Sequence, residues 1–161
     1  MNLGTKARYA VMAMVDLAAQ SGEKPVKLAD IAARQEIPLA YLEQIFARLK
    51  QHGLVKSVKG PGGGYRLSKP EGQTPISDIV SAAQESIKMT RCEAASHGGC
   101  MGTKARCVTH DLWEGLSDQI FSYFNSITLE DVCRRKLARN KDNFAHALGM
   151  SAETGQGHKA Q

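Results

Sequence analysis

Four side chains in the middle of the chain have the types and spacing for metal chemistry. They are Cys92, Cys100, Cys107 and His110, in the pattern C-x7-C-x6-C-x2-H. Three thiolates and one imidazole form a soft four-donor set that suits zinc or an iron–sulfur cluster. Structural zinc sites usually draw their ligands in close pairs, and here only Cys107 and His110 form one. The spacing therefore leans toward a cluster and leaves zinc open. Gly98, Gly99 and Gly102 let the backbone fold closely around a metal. Lys104 and Arg106 place positive charge beside the thiolates, which favours the ligating, deprotonated form. A lone histidine among thiolates gives raised potential and proton-sensitive ligation, properties that suit a sensor. Cys133 stands apart and reads as a packing residue.

A second chemical signal lies in the charge distribution. Residues 1–70 hold eleven Lys/Arg against five Asp/Glu, whereas residues 71–161 hold ten against eleven. All the excess positive charge is in the first half, so a polyanion would bind there. No apolar run is long enough to span a bilayer. The faintly signal-like start, Lys6 and Arg8 before an apolar stretch, is interrupted by Asp16 and has helical period, so it reads as a domain helix. The expected location is the cytosol, where four cysteines point to metal or redox chemistry before disulfides.

The elements that must position these groups follow from periodicity. A first helix is expected from about Thr5, as N-cap, to Gln20, with Ala10, Met14, Leu17 and Ala18 on its core face. A short second helix has Leu28, Ile31 and Ala32 inward, and Glu36-Ile37-Pro38 breaks it. A third starts at about Pro38 with Leu42, Ile45, Phe46 and Leu49 at i, i+3, i+4 and i+7, and Gly53 ends it. Leu54–Val58 and Tyr65–Leu67 read as strands joined by the turn Lys59–Gly64. Two helices, a tight turn and a hairpin make a winged helix-turn-helix. Glycine-rich phosphate loops join a strand to a helix, whereas this one joins strand to strand.

Beyond the wing, a short helix is expected from Ile76 to about Gln84, with Ser77 near its start. Residues 88–108 then show no period. A long helix from Thr109 to Ile127 carries Leu112, Trp113, Leu116, Ile120, Tyr123, Phe124 and Ile127, a broad apolar face for which a two-fold partner is the economical cover. Thr128 caps a last helix from Leu129 to about Arg139, and the polar tail from Lys141 reads as disordered. The expected organisation is mainly α with a small β-hairpin wing. It comprises a winged domain at 1–85, a cluster-binding loop at 86–108, dimerisation and C-terminal helices at 109–140, and a tail at 141–161.

A recognition helix reads base edges from its outward face. Measured from Leu42 and Phe46, that face carries Ala40, Glu43, Gln44, Ala47 and Gln51. Glu43 repels phosphate and guanine acceptors yet can accept from a cytosine amino group, so it discriminates against wrong sites. Gln44 can pair with adenine, and Tyr41 can reach phosphate or a thymine methyl. Lys6, Arg8 and Arg48 are expected phosphate contacts, with Tyr9 a further contact or a packing residue. Lys59 with Gly60, Pro61 and Gly62 would enter the minor groove. A metalloenzyme would need an open coordination position and a neighbouring acid or base; a four-ligand set offers neither. An electron carrier would not need a winged helix.

The chain resembles the IscR family of bacterial iron–sulfur cluster regulators and the wider group of winged-helix repressors around it. The resemblance extends to about Leu129. It rests on Arg8-Tyr9-Ala10-Val11, Leu28-Ala29-Asp30-Ile31, Tyr41-Leu42-Glu43-Gln44, Gly60-Pro61-Gly62-Gly63-Gly64-Tyr65, Thr90-Arg91-Cys92 and Thr109-His110-x-Leu112-Trp113. It implies a homodimer on promoter DNA, with Leu28 among the DNA-contacting positions. It also implies a 2Fe-2S cluster on Cys92, Cys100, Cys107 and His110, and control of cluster-assembly genes. Glu43 is implied to separate two classes of DNA site, one of which the cluster-free form retains. Relatives in the wider group sense iron or nitric oxide with other clusters. Three features depart from the family: longer cysteine spacings, Ala40 in place of a frequent serine, and Lys59 in place of the usual arginine, a point charge for a fork.

Overall fold

The computed structural model describes residues 4–20, 22, 24–83, 100–101 and 105–136. Helix α1 (Thr5–Ala19) is the central element, and α2 (Leu28–Gln35), α3 (Leu39–Gln51), α4 (Ile76–Ala82) and α6 (Leu129–Cys133) all pack on it. Between α3 and α4 lie β1 (Val55–Val58), β2 (Gly64–Leu67) and a 3₁₀ turn (Glu71–Gln73); α5 (His110–Ser126) precedes α6. This is a mostly helical winged helix with a two-stranded antiparallel wing, as the sequence implies.

The predicted apolar stripes are the core. Ala10, Met14, Leu17 and Ala18 of α1 are buried with Ile31 and Ala32 of α2 and Leu42, Ile45, Phe46 and Leu49 of α3. Gly53 adopts φ +70°, the left-handed residue that ends α3. Leu54 then donates to Leu49 O and Gly53 to Lys50 O, which satisfies the orphan carbonyls and brings Leu54 onto the core.

In the hairpin Val55 faces Leu67 and Val58 faces Gly64. Val26 and Tyr65 exchange both backbone hydrogen bonds, at 3.0 and 2.8 Å, so the segment before α2 lies against the wing. That close approach requires Gly64, whose Cβ would lie 2.3 Å from Val26 O. Tyr65 sets its ring edge-to-face on Phe46, at 4.9 Å between centroids, which joins wing to recognition helix.

Helix α4 ends at Ala82 where about Gln84 was expected, α5 runs His110–Ser126 inside the expected Thr109–Ile127, and two further ends differ in kind. Gly4, not Thr5, is the N-cap of α1, and no side chain caps it; Thr5 is already within the first turn. The last helix stops at Cys133 rather than near Arg139, because Arg135 takes φ +51°. Arg135 N–H then donates to Val132 O and Lys136 N–H to Asp131 O, a closing motif made without glycine. The expected cap at Thr128 is present, as a reciprocal pair with Asp131. Residues 84–99 and 137–161, with the start of the expected loop and the whole tail, lie outside the described residues. Among the described residues, no helix is long and apolar enough to cross a membrane.

Candidate nucleic-acid interface and metal centre

Helix α3 buries one face and leaves Ala40, Glu43, Gln44, Ala47 and Gln51 exposed on the other, as the period implies. Tyr41, half-buried, meets Tyr9 edge-to-face at 5.8 Å, so these two rings brace α3 against α1. Arg8 is exposed and Lys6 half-buried at the start of α1. Lys59, Gly60, Pro61 and Gly62 are exposed at the wing tip, where Gly63 N–H closes the turn on Gly60 O at 2.9 Å. Lys50 Nζ donates to Ser57 Oγ at 2.8 Å and ties α3 to the wing. The reading helix and the wing are thus joined by this bond and by the Tyr65–Phe46 ring contact.

Two expected DNA contacts sit differently. Leu28 is the first residue of α2 with its side chain in the core, so it has only its backbone N–H to offer DNA. Arg48 is half-buried and donates from Nη1 to Ala83 O at 3.2 Å, so part of its guanidinium holds the end of α4. A further arrangement could not be found from periodicity. Asp16, buried on α1, accepts from Arg34 at 2.6 Å and from Gln35 at 2.7 Å, both on α2. Burial alone would raise the Asp16 pKa, but the hydrogen bonds from Arg34 and Gln35 and the charge of Arg34 hold it below the ordinary carboxylate value. This fixes the pitch of α2, and hence of the helix-turn-helix, on α1.

At the head of α5 the structure sets two of the four expected metal ligands, Cys100 and His110, side by side, while a third, Cys107, meets Cys100 through its backbone N–H. Cys100 Sγ lies 3.6 Å from His110 Nδ1 and accepts from Cys107 N–H at 3.0 Å. Cys107 Sγ lies 3.7 Å from Thr109 Oγ1, a hydroxyl that also accepts from Trp113 Nε1 at 3.2 Å. Cys92, with Lys104 and Gly98, Gly99 and Gly102, lies outside the described residues. The spacing of one donor pair is compatible with a metal as well as with a thiol–imidazole hydrogen bond. A tetrahedral ion with bonds of about 2.3 Å to sulfur and about 2.1 Å to nitrogen holds those two atoms about 3.6 Å apart. That is the Cys100–His110 separation.

His110 is 1% exposed, and its Nε2 makes no hydrogen bond, although Glu114 Oε2 is 3.5 Å away. A buried polar atom left in this way costs about 1–3 kcal/mol, a tolerable cost where the residue has another task. Glu114 and Asp111 complete a cluster of potential donors around His110; the i+4 spacing on a helix was the available signal for Glu114. Arg106 is exposed, 4.0 Å from Asp111. Cys133 is on α6, its Sγ 4.0 Å from Val15 O, and burial with the negative charge of Glu71 pushes its thiol pKa up. A protonated, core-facing thiol is a packing residue.

Helix α5 itself is poorly covered. Leu112 is 63% exposed, Phe121 47% and Tyr123 52%, with Leu116 also exposed. Its far end is anchored: Ser77 Oγ donates to Asn125 Oδ1 at 3.0 Å, Ile76 N–H to Ile127 O at 2.9 Å and Leu129 N–H to Thr74 O at 2.8 Å.

A recognition helix with an outward polar face, locked to a glycine-turned wing, makes this a DNA-binding transcription regulator of the winged-helix class. The chain belongs to the Rrf2 family, described as iron-dependent transcriptional regulators, whose model matches residues 3–135. It is 51% identical over 150 residues to the HTH-type transcriptional regulator IscR of Cronobacter sakazakii, covering 91% of each chain. It is 43% identical over 160 residues to that of Salmonella paratyphi B, covering 99% of this chain and 96% of the relative. Among solved structures, T. potens IscR is similar with a TM-score of 0.67 at 35% identity, over 84% of this chain and 88% of that one. CymR of B. subtilis, a global cysteine regulator, gives 0.68 at 30% identity, over 84% and 98%.

Proposed function

We propose that the chain is a cytosolic, homodimeric repressor that senses iron–sulfur cluster supply through a 2Fe-2S cluster held by Cys92, Cys100, Cys107 and His110, and controls cluster-assembly genes. The observation that carries this reading is the 3.6 Å approach of Cys100 Sγ to a buried His110 Nδ1 at the head of an uncovered helix. The iron-dependent description of the family and the IscR relatives support iron over zinc. When bound, the cluster supplies a supply-sensitive link between the 86–108 segment and α5.

The residues of the chain do the rest. Cys100 and His110 meet at the head of α5, with Cys107 bonded to Cys100 through its backbone N–H, while α5 offers Leu112, Leu116 and Phe121 to a second copy. A two-fold pair places two α3 helices on successive major grooves of a promoter operator. There Gln44 and Tyr41 face bases, Ala40 allows close approach, and Glu43 rejects sites that lack a donor. Lys59 with Gly60, Pro61 and Gly62 enters the minor groove, and Lys6, Arg8, Tyr9 and the uncommitted part of Arg48 lie along phosphates. The N–H of Leu28 in the first turn of α2 adds a backbone donor.

Anaerobic purification tests this reading. The wild type should be reddish-brown with iron and sulfide in equal amount, and the Cys92→Ala, Cys100→Ala, Cys107→Ala triple variant should be colourless yet folded. Full iron and sulfide in the triple variant overturns the ligand assignment. A colourless wild type with one zinc per chain favours the zinc-stabilised repressor instead.

A further inference from the structure

The cluster reading leaves one group at the centre unused. His110 offers two ring nitrogens, and only Nδ1 faces Cys100. Nε2 points the other way along α5, buried and without a hydrogen bond, and the nearest acceptor is Glu114 Oε2 at 3.5 Å. Glu114 is one helical turn on, with its side chain 23% exposed, so it has room for the small rotation that reaches hydrogen-bond length. Asp111, the other nearby carboxylate, is 91% exposed, and Arg106 lies 4.0 Å from it.

Resting on the cluster reading above, we propose that Glu114 is the positioning residue for His110. It accepts from Nε2–H, which fixes the tautomer with Nδ1 bare and holds the ring so that this nitrogen faces Cys100. A neutral imidazole can donate from only one nitrogen, so a proton held on Nε2 leaves the Nδ1 lone pair free to ligate. Ligating histidines commonly donate their second N–H to a carboxylate, which orients the ring and makes it a stronger donor. The same contact relieves the orphaned nitrogen. In the cluster-free chain, Nδ1 is then the acceptor for the Cys100 thiol at 3.6 Å.

The test uses the full 161-residue chain with Glu114→Gln, Glu114→Ala and, as a charge-matched control, Asp118→Asn, an exposed carboxylate further along α5 and outside the donor cluster. In cluster-free protein, ring nitrogen-15 shifts should report His110 protonated on Nε2 in the wild type. Glu114→Gln, whose amide oxygen still accepts, should keep that tautomer, and Glu114→Ala should lose it. In reconstituted protein, Glu114→Ala should weaken iron retention by about 10- to 100-fold. Glu114→Gln should retain the cluster at a raised reduction potential, since the carboxylate charge is gone. Asp118→Asn should change none of the three. If wild type and both Glu114 variants agree in tautomer, retention and potential, the proposal falls; it falls equally if Asp118→Asn moves the potential as far as Glu114→Gln. If the wild type takes up no iron and sulfide, the cluster reading fails on its own, and the tautomer measurement judges Glu114 without it.

Discussion

The winged domain and helix α5 are built on opposite terms. In the winged domain Met14, Leu17, Ile31, Leu42, Phe46 and Leu49 are fully buried, and the one buried carboxylate among the described residues, Asp16, is matched by Arg34 and Gln35. In α5 the only buried residue is a histidine with one nitrogen unpartnered, while Leu112, Leu116, Phe121 and Tyr123 face outward. The first region is satisfied by its own chain. On the function proposed above, the second would be satisfied by what it binds, a metal at one end and a second copy along its length. Such a division suits a regulator, because a signal can act only on a part whose interactions are still to be completed.

The contrast can be broken at its strongest point first. Phe46→Ala removes a fully buried ring from the recognition helix and should cost about 3–5 kcal/mol. Chemical denaturation should give that loss equally with and without metal; a loss that disappears on metal loading would mean that the winged domain is not self-sufficient.

Leu116→Glu should leave the winged domain folded and yield monomers, with operator affinity down about 100-fold as the second half-site contact is lost. Sedimentation and titration at fixed salt check both. A wild type that sediments as a monomer at micromolar concentration would refute the dimer.

Asp16→Asn should cost about 1–2 kcal/mol at neutral pH, less than a fully buried pair because Arg34 is partly exposed. The folded pKa of Asp16 is lowered, so its contribution is present above the ordinary carboxylate value of 3.8 and is lost as pH falls through the folded value. The variant should therefore show a flatter acid limb in stability against pH.

The smallest expected effect is the most specific. Glu43→Ala should raise affinity by up to about tenfold at sites without a suitably placed donor and less at the others. An equal shift at both site classes would reduce Glu43 to a surface charge.

Local periodicity reports which face of a helix is buried, and that much was legible. Leu42, Ile45, Phe46 and Leu49 could be read as core and Glu43 and Gln44 as outward; Gly53 and the Thr128 cap were equally plain. Periodicity does not report which distant partner a side chain meets. Arg34 lies 18 residues from Asp16, and Arg48 lies 35 from the Ala83 carbonyl. Leu28 carries the same difficulty, since a position matching a DNA-contact motif can still bury its side chain. The early end of α6 was hidden because Arg135, not glycine, takes the left-handed conformation. At the candidate metal centre, the residue types could be read directly, whereas the burial of the His110 ring, which leaves Nε2 without a hydrogen bond, depends on three-dimensional packing.

The anchoring of α5 has a mechanical side. Its 17 residues span about 25 Å, and the Ile127 end is stitched to the start of α4 by backbone hydrogen bonds. A pivot of about 10° at that stitch would carry His110 through about 4 Å, the arc of a lever about 25 Å long. If two copies of α5 clasp each other, the lever works in reverse. The clasped helices become the beam, the winged domains become the arms, and the stitch at Ile76 and Ile127 becomes the joint that sets the distance between two recognition helices. Operator half-sites one helical turn apart tolerate little error in that distance, so a slight turn at this joint is enough to bring the arms into step with the DNA or out of it.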